Sequence, residues 1–112
     1  AIINIKAGRV GGYLEAVAIH DRAVAAGIPV WCGGMLETGI GRAANAALAA
    51  LPGFTLPGDI SASARFYTRD IVNEPAVIED GHVRVPTGPG LGVEIDAAAL
   101  EDFTVRRERI TR

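Results

Sequence analysis

A single cysteine, Cys32, leaves this chain of 112 residues without the means to build an internal disulfide framework, and it suits a reducing cytoplasm. Long apolar runs are missing too. None approaches the roughly 20 residues that cross a bilayer, so no membrane is expected as a partner. Charge is close to balance, 11 Lys and Arg against 13 Asp and Glu for a net −2, which leaves no basic stripe for a phosphate backbone and sets nucleic acid aside. The two histidines, His20 and His82, fall mid-helix and after a hairpin turn, and both read as surface residues. No His, Cys and Asp spacing suggests a metal site supplied by this chain alone. There is no initiator methionine and no charged-then-apolar leader: the chain opens at Ala1, already in a strand, and its one methionine is Met35. The expectation is a piece of a longer polypeptide, with the remainder of that polypeptide as its first partner.

What is present is an alternation of strand and helix in a composition that is 49% hydrophobic. Ile2, Ile3 and Ile5 form a β-branched run closed by Lys6, and Gly8, Gly11 and Gly12 punctuate the turn that follows. Tyr13 to Ala26 reads as a helix with Leu14, Val17 and Ala18 on its apolar face, continued by Ala25, and with Glu15, Asp21 and Arg22 outside. IPVWC at 28–32 is a second strand, running into GGMLETGIG. Ile40 to Leu51 is an alanine-rich helix stopped by Pro52 and Gly53, and FTL at 54–56 is a third strand. Strands without polar alternation are covered on both faces, which points to a parallel α/β sheet or barrel. All three run the same way, so Lys6, Gly33, Gly34 and Asp59 share the carboxyl ends, where such folds place their sites.

After Ser61 the pattern breaks. SASARFYTRD reads as a short helix or an irregular loop, and AVIEDGHVRV as a hairpin about Asp80-Gly81. PTGPGLGVEID is a structured loop leading into a strand, AAALEDF a last short helix, and VRRERI an exposed terminal strand. Three parallel strands are under half of a barrel, which takes roughly 250 residues.

Four stretches are able to carry chemistry, each with a plainer reading beside it. Lys6 ends a strand, where a lysine either snorkels to water or serves as a base once its pKa is lowered, and Arg9 past the glycine is placed to supply the lowering charge or is a solvated turn residue. GRVGG leads into a helix N-terminus but lacks dinucleotide and P-loop spacing, so tight turning explains its glycines as well. Gly33 and Gly34 let the backbone approach a ligand, with Met35 as a pliant wall or a core residue and Glu37 as an acceptor or a helix-start carboxylate. Asp59, ahead of Ile60, Ser61, Phe66 and Tyr67, pairs with Lys6, meets substrate, or caps the next segment.

INIK-x-GRVGG, PVWCGGMLETGIGRAAN, LPGDISAS and PTGPGLGV, in that order, resemble the N-acylamino acid racemase and o-succinylbenzoate synthase group of the enolase superfamily, in its muconate-cycloisomerase-like branch. The resemblance implies an α+β capping domain and a modified (β/α) TIM barrel, of which residues 1–67 would be strands six to eight with their helices. Residues 68–112 would be a hairpin and tail packed against barrel and cap. Lys6 matches the catalytic lysine of the sixth strand, with Ala7 where the group's K-P-G-R pattern has proline, and Arg9 stays in register to tune it. Gly33, Gly34 and Met35 would line the substrate pocket from the seventh strand, and Asp59, Ile60 and Phe66 from the eighth. The implied cofactor is a divalent metal, Mg²⁺ with Mn²⁺ or Co²⁺ as substitutes, held by carboxylates outside this chain, and the second lysine also lies outside it. The implied enzyme is a cytoplasmic homo-oligomer acting on N-acylamino acid or succinylbenzoate-type carboxylates. It would work as a racemase through an enediolate, as the synthase, or as both, and the isolated chain is expected to be inactive. A Schiff-base lyase and a non-catalytic complementing fragment are the more distant alternatives.

Overall fold

A computed structural model describes residues 1–111. Ile3–Ile5 (β1) and Val30–Cys32 (β2) pair in parallel, Ile3 opposite Val30 and Ile5 opposite Cys32. The ladder extends past both ends, the N–H of Ile3 donating to Pro29 O at 3.1 Å and that of Gly33 to Ile5 O at 2.9 Å. A parallel pair needs a crossover, and the chain supplies Ala7–Val10 (α1) and Tyr13–Ala25 (α2). The stretch expected as a bare glycine turn is therefore largely the single-turn helix α1, begun directly after Lys6. The break before α2 falls at Gly11 and Gly12, whose φ of 99° and 114° suit glycine alone.

Gly39–Ala49 (α3) starts from the extended Thr38 and presses its alanines, Ala43, Ala44 and Ala46, inward. The third parallel segment touches the sheet at one residue, Phe54 bridging Val30. The strand expected over 54–56 goes no further because Thr55 N–H turns back to Gly53 O at 3.0 Å and Pro57 has no N–H to offer.

Ile5, Val30, Cys32, Ala16, Ala23 and Leu48 form the core, so α2 and α3 lie on one face of the sheet. By strand alternation Asn4, Lys6, Trp31 and Gly33 belong to the other face. Cover was expected on both faces; among the described residues it is present on one.

Two expectations for α2 are corrected. Its inner positions are Ala16, His20 and Ala23, while Leu14 is 89% exposed, Ala18 and Ala25 are exposed, and Val17 sits only at the core's edge. A helix packed this close to a sheet takes small side chains inside, and the larger Leu14 is rotated out. His20 is accordingly buried rather than on the surface. Its ring stacks on Phe54 with centroids 4.9 Å apart, Nε2 accepts the Gly53 N–H at 3.1 Å, and Nδ1 lies 2.8 Å from Asp21 Oδ1. Those partners require the neutral ring with its proton on Nδ1.

The remainder is a tail. Ser63–Arg65 is a single 3-10 turn, and the expected hairpin forms from Ile78–Glu79 (β3) and His82–Val83 (β4). Asp80 at φ 48° and Gly81 at φ 77° turn it, the two left-handed residues of a type I′ loop. The strand expected before Asp96 shrinks to one antiparallel bridge, Val72 to Ile95. Ala97–Phe103 (α4) follows as expected, capped by Asp96, whose Oδ1 accepts the Ala99 N–H at 2.9 Å. The exposed VRRERI stretch forms no strand, because no sheet edge among the described residues pairs with it.

Asp70 ties the tail to the start of α3. Its Oδ1 accepts N–H groups from Gly39 at 2.8 Å and Ile71 at 2.7 Å. Burial raises its pKa. The Ser63 hydroxyl (close by, though short of full hydrogen-bond geometry), these two N–H groups and the Arg42 charge outweigh burial and hold it below the ordinary carboxylate value. The unfolded chain therefore takes up the proton more readily. The stability that Asp70 supplies is complete above about pH 4 and fades as pH falls through the folded value. Thermal unfolding at pH 6 and pH 3 checks this: Asp70→Asn should lower the Tm at pH 6 and show a smaller acid-induced fall than the parent.

Candidate active site

Lys6 is the only lysine in the chain. It leaves β1 at the carboxyl end and its side chain is 18% exposed. Nζ donates to Gly34 O at 2.6 Å and lies 3.9 Å from Asp59 Oδ2. The expectation that these strand ends converge is met, since Lys6, Gly34 and Asp59 come from three successive parallel segments. Gly33 is buried beneath the lysine. A Cβ there would fall 2.7 Å from Lys6 Cε and 2.8 Å from Lys6 Cγ, and would also strike Asn4 Oδ1, so the lysine stem lies across a glycine floor.

The other expected site residues fall around this centre. Arg9 is exposed on α1, and its backbone N–H donates to Lys6 O at 2.8 Å. Met35 is 43% exposed, which removes the core reading. Its N–H donates to Glu37 Oε2 at 2.7 Å. Ile60 is half-buried and packs against the core, while Phe66 is 45% exposed with its ring under the guanidinium groups of Arg42 and Arg65, at 5.3 and 5.8 Å. Gly58 passes the Cys32 carbonyl so closely that a Cβ would lie 2.7 Å from that oxygen. Burial, then the Asp59 and Glu37 carboxylates, push the Cys32 thiol up to about 11 against the opposing charge of Lys6. At neutral pH it is a neutral thiol and no nucleophile.

Residues that reading by motif passed over brace this centre. Asn45, buried on α3, accepts from Tyr13 Oη at 2.9 Å and donates to Glu37 Oε1 at 3.0 Å, so α2, α3 and the loop after β2 are joined. Arg42, 1% exposed, donates through Nη1 to Ser61 O at 2.6 Å and Ser61 Oγ at 3.0 Å. The available signal was two polar side chains three apart on the face of an otherwise alanine-rich helix. A cleft of about 540 Å³, lined by Arg42, Ala46, Val77 and Val83 among others, lies between α3 and the hairpin tail, away from Lys6.

No three His, Cys, Asp or Glu side chains gather as metal ligands among the described residues. Asp59 beside Lys6 and Glu37 in the loop after β2 are each engaged with a backbone N–H group. The side chains present here do not fit the divalent metal that the resemblance implies, and the chemistry of this chain is that of a seated lysine.

Parallel segments crossed by helices, with that lysine at their carboxyl ends, are the β/α arrangement from which (β/α) barrels are built. Residues 1–99 match the family model described as Enolase C-terminal domain-like, and the chain belongs to that family. It is 64% identical over 106 residues to an N-succinylamino acid racemase of Amycolatopsis, covering 95% of this chain and 28% of that protein. It is 50% identical over 111 residues to the o-succinylbenzoate synthase of Bacillus subtilis, covering 99% of this chain and 30% of that protein. A crystal structure of an enolase superfamily member from Listeria innocua superposes with a TM-score of 0.90 at 48% identity, covering 94% of this chain and 28% of that one. The chain thus spans under a third of the length of the relatives it matches.

Proposed function

We propose that this chain is the Lys6-bearing part of an N-succinylamino acid racemase, which moves the α-proton of an N-acylamino acid carboxylate from one face to the other through an enediolate. The observation that carries the reading is the seat of Lys6: a lone lysine at the barrel's carboxyl ends, aimed by Gly34 O and flanked by Asp59. Similarity to the Amycolatopsis racemase supports the substrate class. Lys6 takes the proton from the face it meets and returns one to that face when the reaction runs the other way. Arg9, on the turn that Lys6 begins, is assigned the charge that tunes it. Gly34, Met35 and Phe66 are assigned the wall against the acyl and side-chain groups.

Similarity to the Bacillus subtilis synthase supports a second reading, o-succinylbenzoate synthase, alone or beside racemisation. In both readings a divalent metal, Mg²⁺ first, is bound by the rest of the polypeptide, in a cytoplasmic homo-oligomer. The test is the complete enzyme assayed for loss of optical rotation of N-succinyl amino acids and, separately, for formation of succinylbenzoate by dehydration. Racemisation supports the first reading, dehydration without racemisation replaces it with the second, and neither overturns both. A borohydride-trapped substrate adduct on Lys6 would replace them with imine chemistry.

A further inference from the structure

Asp59 has no part in the proton transfer just described, yet it reaches both Lys6 and the glycine backbone that seats it. Gly33 and Gly34 form the most permissive backbone a chain offers, since neither has a Cβ to restrict it. Left alone, the Gly34 carbonyl would turn freely, and the lysine ammonium would lose its seat. Two carboxylates remove that freedom. Asp59 Oδ1 accepts the Gly34 N–H, fixing the peptide plane before Gly34. Glu37 Oε2 accepts the Met35 N–H at 2.7 Å, fixing the plane after it. The carbonyl of that second plane is the one that meets Lys6 Nζ at 2.6 Å. Asp59 Oδ2 stays 3.9 Å from Nζ, too far for a hydrogen bond.

We propose that Asp59 is a positioning residue for Lys6, acting through the Gly34 backbone, rather than a group that contacts substrate. The proposal rests on the reading of Lys6 as the proton-transferring base. The Asp59 side chain is 54% exposed, so a substrate contact is open to it sterically, and kinetics separate the two roles. A residue that aims the base alters kcat, whereas one that grips substrate equally in ground and transition states alters KM.

The experiment uses the complete enzyme with Asp59→Ala and Asp59→Asn. Asparagine keeps an acceptor oxygen for the Gly34 N–H, while alanine removes it. Asp59→Ala should lower kcat on the order of tenfold with KM within about twofold. Asp59→Asn should restore most of that loss. A second readout needs no activity: acetic anhydride labelling of Lys6 at fixed pH, followed by mass mapping of its peptide, should run several-fold faster in Asp59→Ala than in the parent. A raised KM with unchanged kcat would make Asp59 a substrate contact and overturn the proposal. So would an asparagine variant as slow as alanine, or a labelling rate that does not move. If the parent enzyme fails to exchange the α-proton at all, the reading of Lys6 as base falls, while the labelling rate still decides whether Asp59 holds the lysine.

Discussion

Lys6→Ala in the complete enzyme is expected to abolish racemisation while sparing one half of the proton chemistry. If two bases face the α-carbon from opposite sides, the enantiomer whose proton points away from Lys6 still meets an intact base. The groups that stabilise the enediolate are untouched, so that enantiomer should exchange its α-proton with solvent and be reprotonated only where it was deprotonated. Its mirror image should not exchange. The measurement is deuterium uptake at the α-carbon of each enantiomer separately, followed by NMR in heavy water. Equal residual exchange from both enantiomers would contradict the two-base scheme, as would loss of exchange from both in a folded protein. The effect on racemisation is complete because racemisation needs a base on each face and one of the two is gone.

The next largest effect is expected from a methyl group. Gly33→Ala puts a Cβ 2.7–2.8 Å from the Lys6 stem and against the end of Asn4. Gly33 is not in the left-handed region, so alanine meets no backbone strain there. The atoms it strikes belong to side chains that can swing away, so the fold yields at a cost of about 1–3 kcal/mol. The lysine must then leave its track. A displacement near 1 Å of a reacting group is worth on the order of 100-fold in rate. Gly33→Ala should therefore lower kcat about that much with a modest fall in Tm and little change in KM. A Tm collapse, or a kcat near the parent's, would mean that the glycine serves packing alone.

Much of this arrangement was legible in the residues, and the exceptions share a cause. Strand direction and the meeting of Lys6, Gly34 and Asp59 followed from apolar runs punctuated by glycine, since a parallel β/α unit has one topology available to it. The hairpin followed from Asp80-Gly81, because few dipeptides accept two left-handed residues. Reading failed where packing distance decides. Leu14 was assigned inward by its hydropathy, yet α2 approaches the sheet through Ala16, His20 and Ala23. His20 was assigned outward by its polarity, but the Gly53 N–H and Asp21 give its nitrogens partners inside. The place of Gly33 directly under the Lys6 stem was likewise not legible in the residues. Local pattern says which residues are apolar; it does not say how near two elements come.

Arg42 has a mechanical consequence. One guanidinium, sealed in the helix–tail junction, grips the backbone and hydroxyl of Ser61 and overlies Phe66. The segment after the third parallel stretch is thereby bolted to α3, and the two travel as one lever. The loop after β2 is hung instead from hydrogen bonds of Glu37 with Asn45 and Met35. The Tyr67 hydroxyl, donating to Leu36 O at 2.5 Å, joins that loop to the segment Arg42 grips. A change of size at Phe66 therefore reaches α3 through Arg42, and its consequences are to be looked for at both places.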